Sequence, residues 1–207
     1  MTIRILSLIA CLLVGSARPA AAQSDTFGVF GIGQFGYMQF AAEQSFRAVL
    51  DRAGGRFLGG GAEVRVGPAF LNVSIDRFAK TGQRILVVDG EVFKLGIPET
   101  VTIVPVAVSA GWRIQRDGAT PYVGAGLGRM FYKEQSAFAD ESERVDARFS
   151  SVHILGGIEF RNEWVATAFE VQYTRAPQTA GIGGAFQAFQ ESNLGGLVGR
   201  VKVLVGR

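Results

Sequence analysis

The stretch Thr100–Ile114, TVTIVPVAVSAGWRI, alternates with a period of two. Val104, Val106, Val108, Ala110, Trp112 and Ile114 share one face; Pro105, Ala107, Ser109, Gly111 and Arg113 share the other. Successive side chains of an extended chain point to opposite sides, so this is a strand with one apolar face. Segment 151–161 repeats the pattern, with Val152, Ile154, Ile158 and Phe160 against Ser151, His153, Glu159 and Arg161. In segment 165–174, Val165, Thr167, Phe169, Val171 and Tyr173 oppose Ala166, Ala168, Glu170 and Gln172. In the last strand, Leu197, Val201, Val203 and Val205 oppose Arg200 and Lys202.

Four further segments complete the set. In 57–66, Leu58, Ala62, Val64 and Val66 oppose Gly59, Gly61, Glu63 and Arg65; in 70–78, Val73 and Ile75 oppose Asn72, Ser74 and Asp76. In 121–132, Val123, Ala125 and Leu127 oppose Gly124, Gly126 and Gly128. Segment 26–40 is aromatic-rich, with Gln34 on one face and Gln39 on the other, so its facing stays open. Eight strands result.

Their connections alternate in length. Gly67-Pro68, residues 115–120 and Asn162-Glu163 are short; 41–56, 79–99, 133–147 and 176–192 are long. Short turns on one side and long loops on the other belong to an outer-membrane barrel with periplasmic turns. Strands of about ten residues match a tilted bilayer crossing. Lipid satisfies no backbone hydrogen bond, so a sheet inside it must close. The expectation is an all-β chain forming an eight-stranded antiparallel up-and-down transmembrane β-barrel, apolar side outward. The glycines on the non-apolar face fit a bore barely wide enough for side chains.

Composition agrees. Of 207 residues, 48% are hydrophobic and 19% charged, with 28 Gly, 16 Phe and 6 Pro. That is too apolar for a disordered chain, and the glycines lack the three-residue period of collagen. Residues 1–22 read as a secretory leader: Arg4, the apolar run Ile5–Gly15, then Ala20-Ala21-Ala22. Eleven apolar residues are too few for a spanning helix. Cys11 sits inside that run, where lipidation would cut it in half. The barrel domain is then 23–207. Its processed form loses Arg4 and Arg18, leaving 19 basic residues against 18 acidic, which gives no basic surface for nucleic acid. Cys11 is the only cysteine, so no disulfide is expected.

Pro121-Tyr122-Val123-Gly124-Ala125-Gly126-Leu127-Gly128, with Glu170-Val171-Gln172-Tyr173 and the overall layout, resembles the small OmpA/OmpX-type outer-membrane barrels. The resemblance implies that fold and an outer-membrane location; a monomer is the expected state. The chain departs from it by ending Val205-Gly206-Arg207 rather than in an aromatic residue.

Glu63, Arg65, Asp76, Arg113, Glu159, Arg161, Glu170, Arg200 and Lys202 all fall on inward faces. Charges in a narrow bore require partners, so a salt-bridged plug is expected, densest near the short turns. Trp112, Phe160 and Trp164 near those turns, and Phe40, Phe57, Phe78, Phe131 and Tyr173 near the long loops, are expected to form two interfacial aromatic belts. Gly31-Ile32-Gly33-Gln34-Phe35-Gly36 matches a dinucleotide glycine pattern, but Tyr37-Met38-Gln39-Phe40 continues as strand where that chemistry needs a helix. His153, the only histidine, shares a face with Ser151; a lumen position away from lipid disfavours a nucleophile–base pair. One histidine and no processed cysteine disfavour zinc. The acids Glu134, Asp140, Glu141, Glu143 and Asp146 lack the spacing of a calcium loop. No cofactor, metal or catalytic residue is therefore expected. Ala42, Phe46, Val49 and Leu50 have helical spacing, and Asp89-Gly90 between two apolar runs reads as a tight hairpin whose strands extend beyond the membrane. Outer-membrane lipid and an extracellular partner for the loops are the expected contacts, in a structural or adhesive role; a small-solute channel is second and a lipid-modifying enzyme third.

Overall fold

The computed structural model describes residues 27–88, 91–114, 116, 118–136, 145–177 and 189–207. The expected leader, residues 1–22, lies outside the described residues, as do Asp89-Gly90 and the acids Asp140, Glu141 and Glu143. The strands are β1 (Gly28–Phe40), β2 (Gly54–Val66), β3 (Ala69–Val88), β4 (Glu91–Arg113), β5 (Thr120–Ser136), β6 (Val145–Asn162), β7 (Val165–Arg175) and β8 (Gly196–Gly206). One helix, α1 (Glu43–Leu50), follows β1. Each strand pairs antiparallel with the next and β8 closes on β1, giving an eight-stranded up-and-down barrel.

The register shows how closure is achieved. The row Val29–Val64–Leu71–Ala110–Ala125–Ile154–Tyr173–Leu197 returns to β1 at Gln39, ten residues beyond Val29. That stagger tilts the strands and sets a bore that side chains alone fill.

The two faces are inverted relative to a water-soluble barrel. Leu127 is 69% exposed, Leu58 68% and Ile154 63%, whereas Arg65 is 3% exposed and Glu170 2%. On β6 the outward row from Phe160 up to Val152 carries no polar side chain; Ser150 and Arg148 follow. A continuous apolar exterior of that height suits acyl chains and not water. β1 resolves with Phe30, Ile32, Gln34, Met38 and Phe40 inward and Phe27, Val29, Phe35 and Tyr37 outward. Gln34 therefore belongs to the lumen.

Three aromatics depart from the expected upper belt. Phe40, Phe57 and Phe78 point inward, at 2%, 5% and 3% exposure. The reason is parity: Phe57 shares its face with Glu63 and Arg65, and Phe78 with Asn72 and Asp76, so lipid is not available to them. They pack around Phe46 of α1 in an apolar cluster with Met38, Ile103, Met130, Phe149 and Val198. Trp112, Phe160, Trp164 and Tyr173 are exposed, and Phe131 is half-buried.

Strands β3 and β4 extend into segment 79–99 on both sides of the expected hairpin turn at Asp89-Gly90. Pairing continues to Val88↔Glu91, so most of segment 79–99 is a two-stranded ribbon above the barrel. An irregularity between Gln83 and Ile85, with Gly96 at φ +70°, lets the ribbon bend where it leaves the barrel wall. The turn after β6 is Glu163-Trp164, one residue later than expected, because Asn162 still pairs with Val165.

Val73, outward near mid-height on β3, tests the lipid-facing assignment. Val73→Lys is expected to lower the urea stability of the vesicle-embedded barrel by about 2–4 kcal/mol. A lysine at that half-exposed site on a water-facing barrel would change stability little.

Candidate functional site

The lumen is filled in three layers. At the short-turn end, Arg65 donates through Nη1 and Nη2 to both oxygens of Glu159, at 3.0 and 2.7 Å, and through Nε to Glu63 at 2.6 Å. Arg113 donates to the same Glu159 at 2.8 Å. A planar guanidinium against a carboxylate fork is the strongest pairing such a site offers. The Arg65 guanidinium also lies 4.0 Å from the Phe30 ring centre. Arg161, expected in this group, is exposed at the rim: it faces the same Phe30 ring at 4.9 Å and donates to the Glu163 carbonyl. Its place one residue before the end of β6 leaves it in water.

The middle layer joins Gln34, Asp76, Glu170, Gln172, Arg200 and Lys202. Gln34 donates to Asp76 at 2.6 Å, and Arg200 reaches Asp76 at 3.3 Å, Gln172 at 2.7 Å and Glu170 at 3.4 Å. Lys202 pairs with Glu170, which also accepts from the Tyr122 hydroxyl at 2.9 Å. Glu63, Asp76, Glu159 and Glu170 thus balance Arg65, Arg113, Arg200 and Lys202 within these two ionic layers.

Glycines make these contacts possible in a recurring way. Gln34, Gly59 and Asp76 form one cross-strand row, as do Ser109, Gly126 and His153, and Tyr122, Gly157 and Glu170. In each row the two outer residues hydrogen-bond over the glycine between them; Ser109 Oγ stands 2.7 Å from His153 Nε2. A Cβ on Gly59 would fall 1.8 Å from Asp76 Oδ1, on Gly126 2.5 Å from His153 Nε2, and on Gly157 2.6 Å from the Tyr122 hydroxyl oxygen. His153 is therefore partnered by Ser109, two strands away, and not by its near neighbour Ser151.

Above this lies the apolar layer, and α1 closes it. Phe46 stacks on Phe40 with centroids 4.0 Å apart, and Phe40 meets Phe78 edge-on at 5.1 Å. Ala42 begins the helix without a side-chain cap. Glu191, from the loop before β8, supplies one: its carboxylate accepts from the Gln44 and Ser45 amides at 3.0 and 2.8 Å and from the Ser45 hydroxyl at 2.6 Å. At the other end Lys80 donates to the Leu50 carbonyl and Lys94 pairs with Asp51. An anion at the amino end and cations at the carboxyl end both oppose the helix dipole favourably. Lys94 holds the Asp51 carboxyl below its usual range, by hydrogen bond and by charge. Between the middle and upper layers remains a cavity of about 30 Å³, lined by Phe57, Asp76, Ser151, His153 and Arg200 among others, with room for about one water. Among the described residues no group of three His, Cys, Asp or Glu side chains could hold a metal ion.

Sequence reasoning placed the charged positions on the inward face but missed the lid. Parity, applied to Phe57 and Phe78, carried the signal for its floor. Nothing local carried Glu191.

No family model matches the chain, and no curated protein matches it. Among solved structures the chain is similar to the N-terminal β-barrel domain of Pseudomonas aeruginosa OprF, at 12% identity and TM-score 0.49, covering 89% of this chain and all of that one. Neisserial surface protein A (NspA) is similar at 12% identity and TM-score 0.47, over 89% of this chain and 97% of that one. Ail, the attachment invasion locus protein of Yersinia pestis, in complex with the heparin analogue sucrose octasulfate, is similar at 12% and 0.45, over 87% and 96%.

The glycine rows and the upper mouth each yield an expected outcome. Gly59→Ala should cost about 1–3 kcal/mol by overpacking, while Gly33→Ala, where a Cβ meets nothing within 4 Å, should be neutral in the same urea titration. Glu134 lies beyond the apolar band, on the long-loop extension of β5 between exposed Lys133 and Gln135, and turns inward. Burial pushes its carboxyl up to about 7 from 4.5, against the hydrogen bond from the Tyr132 hydroxyl, and the like charge of Glu99 adds to the rise. The folded state then binds the extra proton. The contribution of Glu134 to stability should be greatest below pH 4.5, fall as pH rises to about 7, and stay level above, by up to about 3 kcal/mol. Glu134→Gln should flatten that slope.

Proposed function

We propose that this chain is a bacterial outer-membrane barrel that works as a structural and adhesive protein, with its activity outside the membrane rather than through the lumen. The filled bore carries this reading. Two ionic layers, an apolar layer and a helical lid lie in series, and the one cavity between the upper two has room for about one water. A solute path would require breaking charge pairs that are under 10% exposed, and such pairs separate at high cost.

The ribbon of β3 and β4 is the surface that supports a contact role. Leu86 pairs directly with Phe93, and Val88 lies on their face two residues on. These side chains are 51%, 48% and 46% exposed, on a ribbon above the lipid-facing apolar band. A cluster of exposed apolar residues standing in water marks an interaction site. The ribbon's open edges add unpaired backbone groups for an incoming strand.

Two measurements test the reading. Purified protein in a planar bilayer should give no stable open current; large steady conductance would replace this function with a channel. Cells expressing a variant lacking Ile85–Lys94 should attach to protein-coated surfaces several-fold less well, with the unheated barrel still migrating as a folded species in SDS. Unchanged attachment would remove the ribbon from the function.

A further inference from the structure

Arg56, Arg77, Arg129 and Arg175 occupy outward positions on β2, β3, β5 and β7, and all four are exposed. Each sits two residues above a large apolar or aromatic side chain of its outward row: Leu58, Ile75, Leu127 and Tyr173. The registers Tyr37↔Arg56, Leu58↔Arg77, Val106↔Arg129 and Val152↔Arg175, corrected for the strand stagger, bring the four to one level around the barrel. They form a girdle where the apolar band ends.

Their surroundings differ from those of every lumen arginine. Arg65, Arg113 and Arg200 each pair with a buried carboxylate. No ion pair involves the four girdle residues among the described residues, and the outward strand positions at their level hold no acid. The first outward acid above them, Asp146, already pairs with Lys133 at 3.2 Å. Arg148, one step higher on β6, lies 5.7 Å from the Phe131 ring and thickens the girdle on that side. At the opposite rim the outward side chains near the interface are Trp112, Phe160 and Trp164. Arginines at outward strand positions are therefore confined to the loop side.

An arginine two residues lower would face acyl chains at a cost of kilocalories, whereas at the interface the cost nearly vanishes. Four unpaired guanidiniums at headgroup level present planar donor forks matched to phosphate oxygens. We infer that Arg56, Arg77, Arg129 and Arg175 bind phosphate-bearing anionic lipids of the outer leaflet, holding a shell of them around the barrel. The apolar wall directly beneath each arginine fits the acyl chain of the same molecule, which favours a lipid phosphate over a free one. This inference rests on the membrane-embedded part of the proposed function and not on its adhesive part.

Spin-label electron paramagnetic resonance on the full chain in phosphatidylcholine vesicles reads the lipid shell directly. Spin-labelled phosphatidic acid should be immobilised in preference to spin-labelled phosphatidylcholine, and added salt should erode the preference. Each Arg→Gln change should reduce the preference about fivefold at most, and R56Q/R77Q/R129Q/R175Q should abolish it. The fourfold Arg→Lys variant should retain an intermediate preference, keeping charge and losing the fork. Equal immobilisation of both lipids by the wild type, or an undiminished preference in the fourfold Gln variant, would overturn the inference. Millimolar inorganic phosphate should not compete; if it did, the girdle would be a free-phosphate site. Should the fourfold variant fail to fold, the single variants and the wild-type salt titration decide. A wild-type chain that never enters vesicles would sink the membrane reading itself, which the heated and unheated gel reads separately.

Discussion

A guanidinium or carboxylate has no stable place among acyl chains, and a strand gives each residue only two directions. Together these constraints assign every side chain of this barrel. Slipping a strand by one residue would exchange its entire inward and outward sets. On β2 that would move Glu63 and Arg65 into lipid, and on β8 Arg200 and Lys202. Lipid tails are as apolar as leucine, so burying leucine inside the bore gains little over leaving it outside. The ionic residues therefore specify the register, and the aliphatic residues follow.

The same constraint creates the packing problem inside. Eight strands leave a narrow bore, yet four acids and four bases must meet partners in it. Adjacent strands let Lys202 and Glu170 meet directly, but long side chains two strands apart are separated by whatever stands on the strand between them. Placing glycine on the strand between them removes the obstruction, and the rows through Gly59, Gly126 and Gly157 all use this arrangement. The abundance of glycine on the inward face is thus a condition for satisfying buried polar atoms, at the usual entropic cost of glycine in a strand. Where no glycine intervenes, as between Arg65 and Glu159, the pair spans the bore itself.

How much of this the residues disclose depends on the distance over which the information acts. Alternation is local, so the strands, the inward position of Glu159 and Arg113, and the outward position of Trp112 are legible in the order of residues. The helix was legible too, because Phe46, Val49 and Leu50 have their own period. Phe57 and Phe78 were misplaced by weighing their position along the strand above their parity. β1 was ambiguous because Gln34 and Gln39 lie on opposite faces; Gln34 is settled by Asp76, 42 residues away. The Glu191 cap acts across 146 residues between two loops, and no local pattern announces it. The tip of the ribbon was legible because Asp89-Gly90 separates two apolar runs; its base, at the irregularity between Gln83 and Ile85, carries no such local pattern.

The lid makes sense as the consequence of ending an ionic bore at a watery surface. The middle-layer charges are paired, but water entering from the loop side would compete for the same donors and acceptors. An apolar layer three strands deep in aromatics excludes it, and that layer would itself be an exposed apolar patch without a cover. Helix α1 covers it with Phe46, Val49 and Leu50, and its polar side faces out. A helix this short is not stable alone. It persists because its amino end is held by a carboxylate from another loop and its carboxyl end by two lysines from the β3–β4 wall. Charge seals the short-turn end of the barrel directly; at the long-loop end charge acts one step removed, by fastening the apolar cap that does the sealing.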